Sequence, residues 1–310
     1  MDLKQIEYIL AIAEEHSITK AAEKLFITQS GLNQQLLKLE TELGIQLFHR
    51  CKNDMQLTDA GKVYVEYGQR ICFLKKVAYN IINDLAENKA GTLSIGLTPE
   101  RGINMLMSIY PEFHKQFPNI KIEPTEIGVH KQQNMINKGD LDIGFVTVTP
   151  KDKNNDDYDH ILYEDIFLAV PRSHPLAKNA SAPGEPFTTI DLKAFRDEYF
   201  VLMFKSSTMR TLIDPLFEEA GFQPKILFET ASNVTMRNMV KNNMACTLLA
   251  QSYVGDLSDI AYFYLPQRPR WELCALHKKG YYLTNAAQNF ISLAMRYFKE
   301  KSLEMRTQSF

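Results

Sequence analysis

Leu3, Ile6, Ile9, Leu10 and Ala13 recur at intervals of mostly three and four, which predicts an amphipathic helix over residues 3–13. Ser17-Ile18-Thr19 breaks that pattern and offers an N-cap to a short helix, Lys20 to Leu25. Its alanines, Ala21 and Ala22, let another helix approach closely. After a turn at Phe26-Ile27-Thr28, Leu32, Leu36, Leu39 and Leu43 mark a third helix from about Gln29, ended by Gly44. Apolar Ile45, Leu47 and Phe48, then Met55 and Leu57, flank a polar tip at Cys51-Lys52-Asn53-Asp54 and read as a hairpin. Three helices and a hairpin over residues 1–58 compose a winged helix-turn-helix. The alternative is a helical bundle with no DNA role. The order of alanine-rich helix, tight turn and third helix favours the DNA reader.

A longer helix follows, capped by Thr58 with Asp59 near its positive end, and reaches about Asn88. Val63, Tyr67, Ile71, Leu74, Ala78, Ile81 and Leu85 repeat at intervals of three and four along it. This approximates a heptad seam and predicts a linker and dimerisation helix over residues 59–88. The alternative is packing on the chain's own later domains.

From residue 91 the pattern alternates between strands and helices. Strands are expected at Leu93–Leu97, Ile120–Thr125 and Leu141–Val148, with helices at about Gly102–Phe117 and His130–Lys138 between them. Such a βαβαβ run implies parallel pairing in a doubly wound sheet. The theme recurs with strands at Ile166–Val170, Tyr199–Phe204, Lys225–Glu229, Cys246–Ala250, Ala261–Leu265 and Trp271–His277. Helices at Thr208–Ala220, Asn233–Lys241 and Asn285–Lys301 complete it. The reading is a two-lobed α/β domain, with residues 91–164 and 269–305 in the first lobe and 165–268 in the second. Two crossings between lobes make a hinged cleft, and ligands of such folds bind where strand ends meet helix N-termini.

Composition alters this picture little. The 310 residues carry a net charge of −2. The first 60 hold six Lys and Arg against nine Asp and Glu, so DNA binding must rest on where the positive charges fall. No run of 18 apolar residues suggests a membrane span, and the N-terminus does not read as a signal peptide, so a cytoplasmic protein is expected. Cys51, Cys72, Cys246 and Cys274 form no CxxC pair and sit beside no histidine at ligand spacing. Neither a metal nor a cofactor is expected.

The motifs are more specific. Thr19-Lys20-Ala21-Ala22-Glu23-Lys24-Leu25, Leu39 to Arg50, and Leu57-Thr58-Asp59-Ala60-Gly61 resemble LysR-type transcriptional regulators. They match the family's T-x-A-A-x-x-L, L-E-x-x-L-G-x-x-L-F-x-R and L-T-x-A-G without gaps, and the later domain order fits across nearly the whole chain. The family's Ser-Gln-Pro-Ala at the start of the third helix is replaced here by Thr28-Gln29-Ser30-Gly31, and Gln34 and Gln35 stand where a basic residue is common. The resemblance implies a periplasmic-binding-protein-like effector domain. It also implies double-stranded DNA as partner, a homodimer or homotetramer, and RNA polymerase as a further partner if the protein activates.

With Leu32, Leu36 and Leu39 facing a core, the third helix turns Gln29, Ser30, Asn33, Gln34 and Lys38 outward. Thr28, Gln29, Ser30, Asn33 and Gln34 are expected at base edges, where Gln and Asn suit adenine and A·T-rich half-sites. Lys38, Arg50 and Lys52 are expected at phosphates. The competing reading is a solvated polar face. Effector candidates sit at strand ends: Thr98, Pro99, Glu100 and Arg101 after the first strand, Thr147 at the end of the third, and Phe204, Lys205, Ser206 and Ser207 in the second lobe. Hydroxyls and helix N-termini there suit a small metabolite bearing a carboxylate, while Glu100 suits an amine. Each of these residues is otherwise an ordinary cap or surface contact.

The chief rivals are an enzyme and an exported solute-binding protein with an accessory helical domain. No G-x-S-x-G, P-loop, G-x-G-x-x-G or paired histidines support the first. Residues 1–90 have no use in the second. A redox sensor built on a cysteine pair is disfavoured, because Cys246 and Cys274 lie far apart in sequence.

Overall fold

A computed structural model describes residues 2–51, 54–86, 90–182, 184–255 and 257–308, for 50–51 and 303–308 by their backbone alone. The chain forms two units, Met1–Asn88 and Lys89–Phe310.

In the first unit, α1 (Leu3–Glu15), α2 (Ile18–Lys24) and α3 (Gln29–Leu43) precede a hairpin of β1 (Phe48–Cys51) and β2 (Asp54–Leu57), and α4 (Asp59–Leu85) closes it. Asp2, Ser17, Thr28 and Thr58 accept from backbone N–H groups in the first turns of the four helices. Ile6, Ile9, Ile12, Ala21, Ala22, Leu32, Leu36 and Leu39 are buried together. Gly44 ends α3 at φ 68°, a left-handed conformation that glycine adopts without Cβ strain.

The wing is tied to the helices by the motif residues. Glu40 is buried, and its Oε1 accepts from the N–H of Leu47 at 2.8 Å and of Phe48 at 3.3 Å. The Thr58 hydroxyl donates to Gln46 O at 2.8 Å and accepts from Gly61 N at 3.0 Å. A Cβ on Gly61 would lie 2.0 Å from Leu47 O, so only glycine lets α4 start against this backbone. Ile45 was expected in the hairpin. It lies before β1 and is exposed, because the chain from 44 to 47 is still turning under the Glu40 cap.

The α4 stripe divides. Ile71 packs against the first unit's core, beside Tyr64. Val63, Tyr67, Leu74 and Leu85 are exposed at 56%, 54%, 56% and 79%, and Ile82 joins them at 60%. Of the stripe read from sequence, Ile71 is thus partly covered by its own unit, while Ile82, outside that stripe, is exposed.

In the second unit, β3 (Ala90–Leu97), α5 (Arg101–Gln116), β4 (Asn119–Glu126), α6 (Val129–Lys138) and β5 (Ile143–Val148) form the expected βαβαβ run, with β3 parallel to both β4 and β5. Next comes β6 (Asp157–Pro171), then β7 (Tyr199–Met203), α7 (Thr208–Glu219), β8 (Lys225–Thr230), α8 (Asn233–Lys241), β9 (Thr247–Ala250), β10 (Ile260–Phe263), β11 (Arg270–His277) and α9 (Asn285–Gln308). The sheet is mixed rather than wholly parallel: β11 runs antiparallel to β5 on one side and to β6 on the other.

Strand β6 begins nine residues before the strand expected at Ile166 and serves both lobes. Up to Asp165 it pairs with β11, and from Ile166 it pairs with β9 and β10. The N–H of Ile166 donates to Pro269 O at 2.8 Å, so the two chain crossings are bonded to each other at the point where partners change. One apolar cluster lies beneath α5 and α9, with Phe113, Phe145 and Phe290 at its centre, and another beneath α7, with Phe195, Phe200 and Phe217.

Candidate effector cavity and DNA-reading helix

Within the second unit, a cavity of about 420 Å³ lies between the lobes. The first residues of four helices contribute to its wall: Arg101 of α5, Val129 of α6, Thr208 of α7 and Asn233 of α8. Helix N-termini carry backbone N–H groups without intrahelical partners and the positive end of the helix dipole. Ser207 accepts from Arg210 N at 3.3 Å and Ser232 from Thr235 N at 3.0 Å, while α6 begins at Gly128 with no side-chain cap. Thr98, Thr147, Ser206 and Ser207 bring hydroxyls. Met203, Phe204, Met209, Tyr253 and Trp271 bring apolar surface.

Of the residues singled out from sequence, Thr98, Pro99, Arg101, Thr147, Phe204, Ser206 and Ser207 line this cavity. Glu100 and Lys205 are not among the lining residues; Lys205 is exposed, and the Glu100 carboxylate is bonded to Ser232 and Asn233. Gly128 to Lys131, Met203, Thr208, Met209, Ala231, Asn233, Tyr253 and Trp271 were missed. The same strand-end rule, applied where β4 feeds α6 and β8 feeds α8, points to Gly128 and Asn233. Nothing local points to Tyr253 or Trp271, which come from a 3₁₀ turn, Gln251–Tyr253, and from β11.

Arg101 is not a free charge awaiting an anion. Its Nη1 donates to Glu164 at 2.5 Å and its Nη2 to Ser252 Oγ at 2.6 Å. The guanidinium also lies over the rings of Tyr253 and Trp271. Glu164 further accepts from Trp271 Nε1 at 2.9 Å and from Ser252 N at 3.2 Å. Burial alone would push the Glu164 carboxyl up, yet the Arg101 charge and these donors hold it below the usual carboxylate value. Burial likewise works against the Arg101 charge, and Glu164 outweighs it, so the guanidinium is held above its ordinary value. The group joins α5 of the first lobe to the 3₁₀ turn of the second beside the crossing strands. His130 and Lys131 are exposed in the cavity wall, and Lys131 brings a positive charge to it.

Two of the thiols, Cys246 and Cys274, are buried. Cys246 lies in the α7 cluster and Cys274 in another, with Val146 and Leu276. Burial pushes both up to about 12. A thiol so far above neutral pH holds almost no thiolate and is a poor peroxide nucleophile.

On α3, Gln29, Ser30, Gln34 and Lys38 are exposed and Asn33 is half-buried, whereas Leu32, Leu36 and Leu39 are buried. Thr28 is exposed, but its hydroxyl oxygen is engaged as the cap, accepting from Gly31 N at 3.1 Å and from the Ser30 hydroxyl at 3.4 Å. The side chain of Arg50, and Lys52 altogether, lie outside the described residues.

Both units match known families. Residues 3–62 match the bacterial regulatory helix-turn-helix proteins of the lysR family, and residues 86–299 match the LysR substrate binding domain. The chain belongs to the LysR family. It is a DNA-binding transcription regulator with an effector-binding domain. An uncharacterized HTH-type transcriptional regulator of Bacillus subtilis, YwbI, is 30% identical over 303 residues, covering 96% of this chain and 97% of its own. A hydrogen peroxide-inducible genes activator of Pectobacterium carotovorum is 27% identical over 287 residues, covering 90% and 91%. Among solved structures, a full-length OxyR variant from Pseudomonas aeruginosa superposes with a TM-score of 0.67 at 21% identity, covering 96% of this chain and 95% of that one, which shows a shared fold. No described helix of this LysR-family protein is long and apolar enough to cross a membrane.

Proposed function

We propose that this regulator senses a small metabolite bearing a carboxylate, held between the lobes by Thr98, Thr147, Ser206 and Ser207, and reads A·T-rich half-sites through Gln29, Ser30, Asn33 and Gln34. The observation that carries the first part is the convergence of four helix N-termini on one cavity with an apolar side. Lys38, Arg50 and Lys52 contact phosphates and set register, and Thr28 supports the reading helix as its cap. The domain limits follow: 1–58 reads DNA, 59–88 links and dimerises, 91–164 with 269–305 forms one lobe, and 165–268 the other.

Dimerisation uses the α4 stripe of Val63, Tyr67, Leu74, Ile82 and Leu85, which one chain leaves uncovered. Pairing of sensor units then gives a tetramer; Met107 and Tyr110 on α5, exposed at 70% and 40%, suit it. The protein works in the cytoplasm, performs no catalysis, and contacts RNA polymerase where it activates. A ligand bridging the lobes acts by preferring one hinge angle. Peroxide sensing by Cys246 or Cys274 is disfavoured by their burial.

Trp271 is the single tryptophan of the chain and lies in the cavity wall, so its fluorescence reports on occupancy directly. Titration of a library of carboxylate metabolites into the full-length protein should yield a saturable change that also shifts operator binding. Saturation of an effector that alters operator binding without touching Trp271 emission would place its site elsewhere.

A further inference from the structure

The Glu100 backbone is unusual. At φ 60° and ψ −69° it is a non-glycine residue in a sparsely populated region, and Arg101 N donates to Pro99 O at 2.7 Å across it. This is a γ-turn of the rare, strained kind, set at the very start of α5. Strain of this sort persists only where its surroundings hold it, and it marks positions where a side chain is being aimed. Here the aimed side chain leaves its own lobe. The Glu100 carboxylate accepts from Ser232 Oγ at 2.5 Å and from Asn233 N at 3.1 Å, 132 and 133 residues further on. A carboxylate thus sits on the N-terminus of α8, as a bound acid would.

Two further observations tie this position to the cavity. Ala231 and Asn233, on either side of Ser232, both line it. Asn233 is 8% exposed, and its buried Oδ1 has no hydrogen-bond partner among the described residues. A buried amide with unmet capacity beside the cavity is a group available to a ligand. Arg101, meanwhile, is neutralised by Glu164 and offers no charge to a second acid.

We propose that the N-terminus of α8 is a carboxylate subsite that this chain keeps filled with its own Glu100, so that Glu100 determines the charge class of the ligand. With Glu100 in place, the cavity takes a molecule with an acid group at one end only, held near Thr98, Thr147 and Ser206. Its other end meets Asn233 and the apolar side. A second acid group at that end would meet the Glu100 charge and find the donors of Ser232 and Asn233 already used. Removing Glu100 opens the subsite to diacids. This rests on the reading of the cavity as the effector site.

The test uses the full-length protein and acetate, which is close to the group lost in Glu100→Ala. Thermal unfolding of wild type, Glu100→Ala, Glu100→Gln and Glu100→Gly is compared in sodium acetate and in sodium chloride of equal ionic strength. Glu100→Gly keeps the turn without strain and so remains folded if the alanine variant does not. Acetate should raise the Tm of the alanine and glycine variants saturably, as a ligand of the folded state does. Wild type and Glu100→Gln, whose amide oxygen still accepts from Ser232 and Asn233, lack the opened subsite and should respond less, through the site near Thr98, Thr147 and Ser206 alone. Adipate, followed by Trp271 fluorescence, should bind the alanine or glycine variant at least about tenfold more tightly than wild type. Equal acetate responses in all four proteins, or none in any, would overturn the proposal, as would equal adipate affinity. Neither result depends on the natural effector. Loss of the cavity reading would instead show as a known effector that leaves Trp271 emission untouched.

Discussion

Arg101 of the first lobe and Glu164 at the interlobe crossing form a buried ion pair, 2.5 Å from Nη1 to Oε2, that the second lobe completes through Ser252. Burying such a pair is costly, and the partners left by its loss are more costly still. Glu164→Gln should therefore destabilise the sensor by about 3–5 kcal/mol, because it strands the guanidinium in the protein interior. Denaturant unfolding of the variant measures this, and a loss below about 1 kcal/mol would mean water reaches the pair.

The same pair gives a sign for pH. The Glu164 carboxyl is held below its ordinary 4.5 in the folded state. The stability it contributes is complete above that value and is lost as pH falls through the lower, folded value. Unfolding curves taken downward from neutral pH should show wild type losing its margin over Glu164→Gln in the acid range. A margin unchanged at low pH would contradict the assignment.

On DNA, Gln34→Ala should cost about 1–3 kcal/mol of discrimination between operator and scrambled sequence. Lys38→Ala should instead weaken both alike and lower the salt slope by about one unit. Titrations on both DNAs at several salt concentrations separate the two. Altered base preference in Lys38→Ala alone would reverse the assignment of these side chains.

For the dimer, Leu74→Glu with Ile82→Glu should yield a folded monomer with weak operator binding, since both side chains are exposed in the single chain. Ile71 is unsuitable for this purpose because it packs against the core of the DNA-reading unit, so charging it would change that unit as well as the stripe. Sedimentation of the double variant decides, and an intact dimer removes the seam from the interface.

In the cavity, Thr98→Val keeps shape while losing a donor and an acceptor. Effector affinity should fall by about 1–3 kcal/mol if the hydroxyl would otherwise be paired, and operator affinity without effector should stay near wild type. Calorimetry with an effector found by the Trp271 screen checks this. Peroxide at neutral pH should leave Cys246 and Cys274 reduced, read by mass spectrometry, because burial holds both near 12.

The DNA-reading unit was legible almost residue by residue. Asp2, Ser17, Thr28 and Thr58 are caps whose partners lie three residues on, and leucines along α3 meet one small core. Local chemistry and a 3.6 period carry that information because the contacts are short in sequence. The Thr98, Thr147 and Ser206 positions in the cavity wall were legible for a similar reason: a strand ending before a helix start is visible in the pattern.

Other features depend on which distant segments meet. Strand β6 serves two lobes, and its first half reads as a loop until β11 arrives from 105 or more residues away to pair with it. Arg101 is an effector candidate by its place at a strand end, and Glu164, 63 residues further on, takes up its charge. Glu100 looked like a charge in the cleft, and the fold placed it on α8. Ile71 looked like a seam residue until α4 packed its own unit's core. Periodicity and caps thus settle helices, strands and the family motifs. The charge of the cavity is decided only by tertiary packing, because a buried charge takes its state from neighbours that the linear pattern does not specify.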